Sequence, residues 1–309
     1  MLVGMSQLTA GPAHRAPSGA SVLAGARHGH PGLFWLAVFS AVLAVVATTG
    51  LVVDDRVLLG APLWAKPLKF ALSFGLYGLA LSWMLSLVDG GRRTGAVLGW
   101  AVAAGAAVEL VIIFGQAVRG VRSHFNSDTD LDATLFSVMG MTVAFIWLAT
   151  VWLAIGVLGR PRLDPALTAS IRLGLVVALL GMLVGVVMSV NGGHAVAVAD
   201  GGPGLPLFGW STTGGDLRVA HFVGMHAVQV LPLLAALLIA LPERRLAGPA
   251  RRPLVRLAGG TYLALLALLT WQALRGQPLA APDAVTLAAA GALVIAVGAT
   301  ALVIVRQRG

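Results

Sequence analysis

Cysteine is missing from all 309 residues, so the chain can form no disulfide, no thiolate metal site and no cysteine nucleophile. Charge is scarce as well. Asp, Glu, Lys and Arg make up 11% of the sequence, where a soluble globular domain carries about 25%. The apolar runs also lack the polar face every 3.6 residues that a soluble amphipathic helix needs. Residues 1–31 contain no long apolar core of the kind a cleavable signal peptide requires. Their Gly, Pro, Ser and Ala content predicts a disordered tail. No Walker loop, nucleophile elbow, Ser-x-x-Lys or HExxH occurs, which removes the common nucleotide-site and hydrolase signatures.

What is present is hydrophobic: 58% of residues are apolar and the mean hydropathy is +0.90. A hydrocarbon core about 30 Å thick needs about 20 apolar residues per helix. Eight runs qualify, at 33–53, 68–88, 96–118, 133–158, 168–190, 218–241, 257–275 and 284–305. Open strands would leave backbone groups unsatisfied in lipid, so these spans are helices. The expected class is an all-α polytopic membrane protein with eight transmembrane helices, and the lipid bilayer is its expected partner.

The net charge of +9 invites a nucleic-acid reading, but the placement of the charges speaks for topology instead. One set of connecting segments holds fourteen arginines, from Arg15 and Arg27 through the Arg244–Arg256 cluster to Arg308, against Asp89, Asp164 and Glu243. The alternate set holds seven cations (Arg56, Lys66, Lys69, Arg119, Arg122, Arg218 and Arg275) against eight aspartates. The positive-inside rule then predicts both termini in the cytoplasm. Arginine preferred over lysine, beside the excess of Ala, Gly, Leu and Val, fits a high-GC bacterial genome and hence the bacterial cytoplasmic (inner) membrane.

The chain also matches itself. Leu68-Lys69-Phe70-Ala71 with Gly75 corresponds to Leu217-Arg218-Val219-Ala220 with Gly224. Gln116-Ala-Val-Arg119-Gly120 corresponds to Gln272-Ala-Leu-Arg275-Gly276, and Asp132-Ala133 to Asp283-Ala284. These matches keep chain order, which predicts two parallel four-helix repeats, over 32–160 and 161–309, after the 1–31 tail.

Polar residues crowd one side. In the third span Glu109 and Gln116, seven apart, share a helix face, and Arg119 lies a turn beyond. Arg122, His124 and Asn126 follow in the next loop. The longest loop, 191–215, carries His194, Asp200 and Trp210, and the sixth span opens with Asp216, Arg218, His221, His226 and Gln229. An unpaired carboxylate at mid-depth costs about 2.5–3.5 kcal/mol or more, so Glu109 must be protonated or paired. Glu109, His226, His221 and Arg119 are therefore the candidate catalytic groups. His226, Gln229, Gln116, Arg218, Arg122 and Trp210 are the candidates for holding a cofactor. His221 and His226 stand roughly 140° apart on their helix, so one metal cannot take both from the same face. A metal ion would need His226 with His124 and His194. The bland alternatives are interfacial arginines that snorkel to headgroups and histidines that only pair helices.

Eight spans in two parallel halves, the Asp200-Gly201 loop, and a histidine in RVAHFVGMHA together resemble heme A synthase. That resemblance implies a haem in each half, between histidines of its second and fourth spans. The sequence departs from it. Tyr77 stands where the repeat places His226, the fourth and eighth spans have no histidine, and the family's loop cysteines are absent. The KPLKFALS, RGVRSHFN and DLRVAHF motifs resemble a family of bacterial eight-span membrane proteins, a resemblance that implies no activity.

Three readings follow. The first is a cofactor-handling membrane oxidoreductase, using haem, a quinone or a metal ion. The second is a transporter for a small molecule or ion, with Glu109 and His226 coupling a proton and Pro232 breaking the sixth helix. The third is a structural membrane subunit. No nucleic-acid partner is expected from any of them.

Overall fold

The structure, a computed structural model, describes residues 19–87, 92–158, 163–206 and 208–308. Residues 1–18, with most of the expected tail, and Arg15, Asp89, Arg160 and Arg162 lie outside the described residues. The described chain is almost wholly helical: α1 (Gly19–Gly29), α2 (Pro31–Val53), α3 (Ala65–Ser86), α4 (Arg92–Arg119), α5 (Asp130–Leu158), α6 (Pro165–Val190), α7 (Leu217–Ala240), α8 (Gly248–Leu274) and α9 (Ala284–Arg308). Seven of these are long and apolar enough to cross a membrane, and α7, bent by 45° between Leu217–Met225 and Ala227–Ala240, makes an eighth. The chain is a polytopic α-helical membrane protein.

Within the predicted tail, Gly19–Gly29 forms a helix that packs along α3. His30 ends it and begins the first span. Its Nδ1 accepts from the Leu33 amide as the N-cap of α2, and its Nε2 lies 2.8 Å from the Ala96 carbonyl oxygen. Ser82 accepts from the His30 amide and donates to the Ala26 carbonyl, so α1, α2 and α3 are tied at this end.

Within each half the same helix pairs pack. In the first, α2 meets α3, α4 meets both, and α5 meets α4; in the second, α6 meets α7, α8 meets both, and α9 meets α8. The halves join through α5 against α6 and α3 against α7. The shared Gln-x-x-Arg-Gly motif has the same local structure twice. Gly120 and Gly276 take φ of +74° and +72°. The Gly120 amide donates to Ala117 and the Val121 amide to Gln116, while Gly276 donates to Ala273 and Gln277 to Gln272. This is the Schellman cap, in which a left-handed residue lets the last carbonyls of the helix find donors. The arginine of each motif then reaches an aspartate at the start of the next helix, Arg119 to Asp132 in the first turn of α5 and Arg275 to Asp283 just before α9.

Packing between α6 and α7 is set by glycine. A Cβ on Gly181 would lie 2.6–2.7 Å from Gly224 backbone atoms, and one on Gly174 would lie 2.8 Å from the Ala227 carbonyl oxygen. Small residues let helices in lipid approach closely, where van der Waals contact rather than the hydrophobic effect holds them. Gly181→Val is expected to cost about 1–3 kcal/mol through overpacking, read as a lower thermal midpoint of the detergent-solubilised protein. Gly140→Ala, where an added Cβ meets nothing within 4 Å, is expected to be neutral.

The four connectors 54–64, 120–129, 191–216 and 275–283 gather at one end. Arg56 donates to the Val118 carbonyl, a Cβ on Gly201 would touch Leu59, and one on Gly215 would run into the Ala273 carbonyl. The first connector is a β-hairpin (β1 Val57–Leu58, β2 Ala61–Pro62) whose turn residues Leu59 and Gly60 both have positive φ. The third is closed at its base by β3 (Ala195–Val196) pairing with β4 (Gly215–Asp216).

Candidate functional site

The seam between α3 and α7, below the 191–216 loop, holds the polar groups that the two halves contribute jointly. On α3 the spacing of Lys66, Lys69, Ser73 and Tyr77 places all four on one helix face. On α7 the spacing of Arg218, Phe222, His226 and Gln229 does the same. Both faces meet the same piece of loop. Lys69 Nζ donates to the Phe208 carbonyl at 3.0 Å, and Arg218 donates to the neighbouring Gly209 carbonyl. Lys69 and Arg218, which the sequence self-match aligns, therefore hold successive carbonyls of the same loop.

Asp216 fixes Arg218 and starts α7. Its side chain, with the residue 2% exposed, accepts from the Ser211 and Arg218 amides and from the Arg218 guanidinium at 3.0 and 2.6 Å. Asp200 folds the other arm of the loop, accepting from the His194 and Ala195 amides. His194 Nδ1 lies 3.4 Å from Asp200 and 3.6 Å from Asp216. Burial and the neighbouring Arg218 charge nevertheless push its imidazole down to about 4, against the pull of the two carboxylates.

Aromatic rings line the seam. Trp210 stacks on Phe208 at 4.5 Å, both rings meet Phe222 at 6.0 Å, and Phe222 lies 4.2 Å from His226. Across from them, His124 sits among Phe70, Phe125 and Phe136. Burial, helped by the charge of Lys66, holds the His124 imidazole well below its ordinary range.

The bend in α7 falls at His226, more than a turn before Pro232, where the sequence placed the break. His226 Nδ1 lies 2.7 Å from the Phe222 carbonyl oxygen. A carbonyl only accepts, so Nδ1 carries the proton and the ring competes for a bond of the helix ladder, a recognised cause of kinks. Nε2 is left as an acceptor, with Ser73 Oγ at 3.5 Å. His221 Nδ1 likewise donates to the Gly181 carbonyl at 2.8 Å.

Lys66 has neither a hydrogen bond nor an ion pair among the described residues. Its ammonium lies 5.9 Å from the centre of the Phe70 ring and within electrostatic reach of Arg218, Lys69, Glu109 and Asp200. Glu109, 0% exposed on α4, has Thr142 Oγ1 against Oε1 and, among the described residues, no partner at Oε2.

The residues expected from sequence thus separate. Arg218, His226 and Trp210 lie at the seam with His194 in the loop over it, His124 packs on Phe70 of α3, His221 is bonded to Gly181 of α6, and Glu109 is within electrostatic reach of Lys66. Gln116 and Arg119 are both bound to the buried Asp132, and Arg122 is paired with Asp128. Gln229 Oε1 is buried in α7 and has no partner among the described residues. Among the described residues no three His, Cys, Asp or Glu side chains gather to hold a metal ion. The trio His124, His194 and His226 is therefore not assembled, because one ring is enclosed by phenylalanines, one is held in the loop and one is stacked on its own helix. Sequence reasoning missed Lys66, Lys69 and Ser73 as site residues. The signal was there: the chain's only two lysines share a face of the second span with Ser73 and Tyr77. Compared with protein families, curated proteins and solved structures, the chain matches none.

Proposed function

We propose that the protein is a carrier for a small anion, bound at the junction of its two halves beneath the 191–216 loop. The observation that supports this reading most is Lys66. It is a lysine amine without a hydrogen-bonded or ionic partner among the described residues, beside Lys69 and Arg218, on a seam walled by aromatic rings. Charge-assisted hydrogen bonds in a partly dried site are among the stronger polar contacts, and an anion would supply Lys66 with one. The matching helix pairings and the twin Gln-x-x-Arg-Gly caps support an origin by duplication. Carriers of that build place their site between repeats, on helices that are broken there. The bend of α7 at His226 fits the pattern.

Ser73 and His226 favour a second reading, a hydrolase in which His226 Nε2 takes the serine proton. The surroundings weigh against it. Ser73 lies well inside α3, where backbone N–H groups are bonded along the helix and cannot stabilise an oxyanion. By the positive-inside rule the Arg-poor end, where the loop lies, faces outward in this reading.

The test is counterflow in proteoliposomes, with phosphate, sulfate, nitrate and benzoate as probes. Uptake of at least one is expected, with Lys66→Ala raising its KM by more than about tenfold while Ser73→Ala leaves it within twofold. No uptake of any probe, or unchanged uptake by Lys66→Ala, overturns the carrier reading.

A further inference from the structure

Beneath Lys66 the bundle contains a carboxyl group that the anion site itself does not require. Glu109 is fully buried, and its hydrogen bonding has two self-consistent arrangements. Thr142 Oγ1 stands 2.5 Å from Glu109 Oε1 and 2.9 Å from the Met139 carbonyl oxygen. A threonine hydroxyl has one proton to donate, and a carbonyl can only accept. If Thr142 donates to Glu109 Oε1, that oxygen accepts, as it does in a carboxylate and equally in an acid protonated at Oε2. If Thr142 donates to Met139, the short contact with Glu109 is filled by a proton that Glu109 itself carries. The same atoms in the same places accept either state.

The charges around the seam say when each applies. Its cations are Lys66, Lys69 and Arg218, and its carboxylates are Asp200, Asp216 and Glu109. With the histidines neutral and Lys66 protonated, the set balances when Glu109 is ionised and carries one positive charge when Glu109 is protonated. Asp216 receives four hydrogen bonds and Asp200 two, whereas one oxygen of Glu109 has none. Of the three, Glu109 is the carboxyl free to change state. The elements packed on α4 present few other titratable groups. They are Lys66, Lys69 and Tyr77 on α3, Asp130 and Asp132 at the start of α5, and His30 and Asp54 at the two ends of α2. Lys66 is the one within electrostatic reach of Glu109.

We propose that Glu109 takes up one proton for each monoanion bound, so that the carrier moves anion and proton together. This rests on the anion-carrier reading. An anion beside Lys66 would otherwise leave an uncompensated negative charge in a low-dielectric interior, and protonating Glu109 removes it. Affinity for the anion then tightens about tenfold per unit fall in pH over the range where Glu109 is ionised in the empty site.

Titration calorimetry on the full chain in lipid nanodiscs tests this. Nitrate and benzoate are titrated at one pH in two buffers of different ionisation enthalpy, and the difference in heat counts protons. The expected result is close to one proton taken up per anion by the wild type. Glu109→Gln is expected to bind with close to none and with an affinity that no longer follows pH. Binding by the wild type without proton uptake overturns the coupling and leaves the carrier reading standing. Binding of neither probe counts against the carrier reading itself. Proton uptake by Glu109→Gln equal to that of the wild type assigns the proton elsewhere and also overturns the proposal.

Discussion

Asp216→Ala is expected to lower stability by about 3–5 kcal/mol, the largest loss of any single substitution at the loop end. The reason is that four bonds end on one buried carboxylate. It caps the first turn of α7 through the Arg218 amide, holds Ser211 and chelates the Arg218 guanidinium. Removing it leaves a half-buried guanidinium with only the Gly209 carbonyl. Removing one partner of a buried ion pair is far more harmful than replacing both. Asp216→Asn keeps the cap and loses the charge, so it is expected to recover about 1 kcal/mol of the loss, the usual worth of an N-cap. Thermal unfolding of the three proteins in detergent checks the order. An alanine variant within 0.5 kcal/mol of wild type would show that the loop is not anchored here.

The second large effect is a loss of stability in mild acid, traced to His194. Its imidazole is pushed from 6.5 down to about 4 in the folded protein by burial and by Arg218. Above pH 6.5 the ring is neutral both folded and unfolded, and its titration costs nothing. As pH falls from 6.5 towards 4 the unfolded chain takes up the proton that the folded chain refuses, so stability declines and then levels off below the folded value. The full window corresponds to about 3 kcal/mol. His194→Gln removes the titration. The difference in thermal midpoint between wild type and variant is therefore expected to change between pH 7 and pH 4 in the variant's favour. Hydrogen exchange in β3 and β4 should rise over the same range, because His194 sits at the base of the loop they close. A pH-independent difference would mean that His194 is protonated in both states or in neither.

How much of this could be read from the residues depends on the kind of interaction. The spans were legible because lipid imposes one rule, an apolar run of a set length, and the bent α7 changes only the count of straight helices. The Gln-x-x-Arg-Gly repeat was legible as a pattern, but its meaning was not. Gln116 and Arg119 read as site residues until the buried Asp132 showed what they hold. Conversely, Lys66 and Lys69 entered only as two of the cations that set the topology, since nothing in the sequence states that α3 faces α7. The kink was misplaced at Pro232 for a similar reason. Proline is the visible breaker, whereas the bond from the His226 ring to the Phe222 carbonyl depends on a rotamer. The expected set of metal ligands failed because spacing along a chain does not say which rings a fold will enclose separately.

The central claim is that an anion belongs beside Lys66 at the junction of the halves. The most direct measurement is anomalous scattering from crystals grown in bromide. A bromide peak is expected within hydrogen-bond distance of Lys66 Nζ, between α3 and α7, and is expected to disappear in Lys66→Ala. Crystals of the wild type with bromide at other sites and none at Lys66 would contradict it.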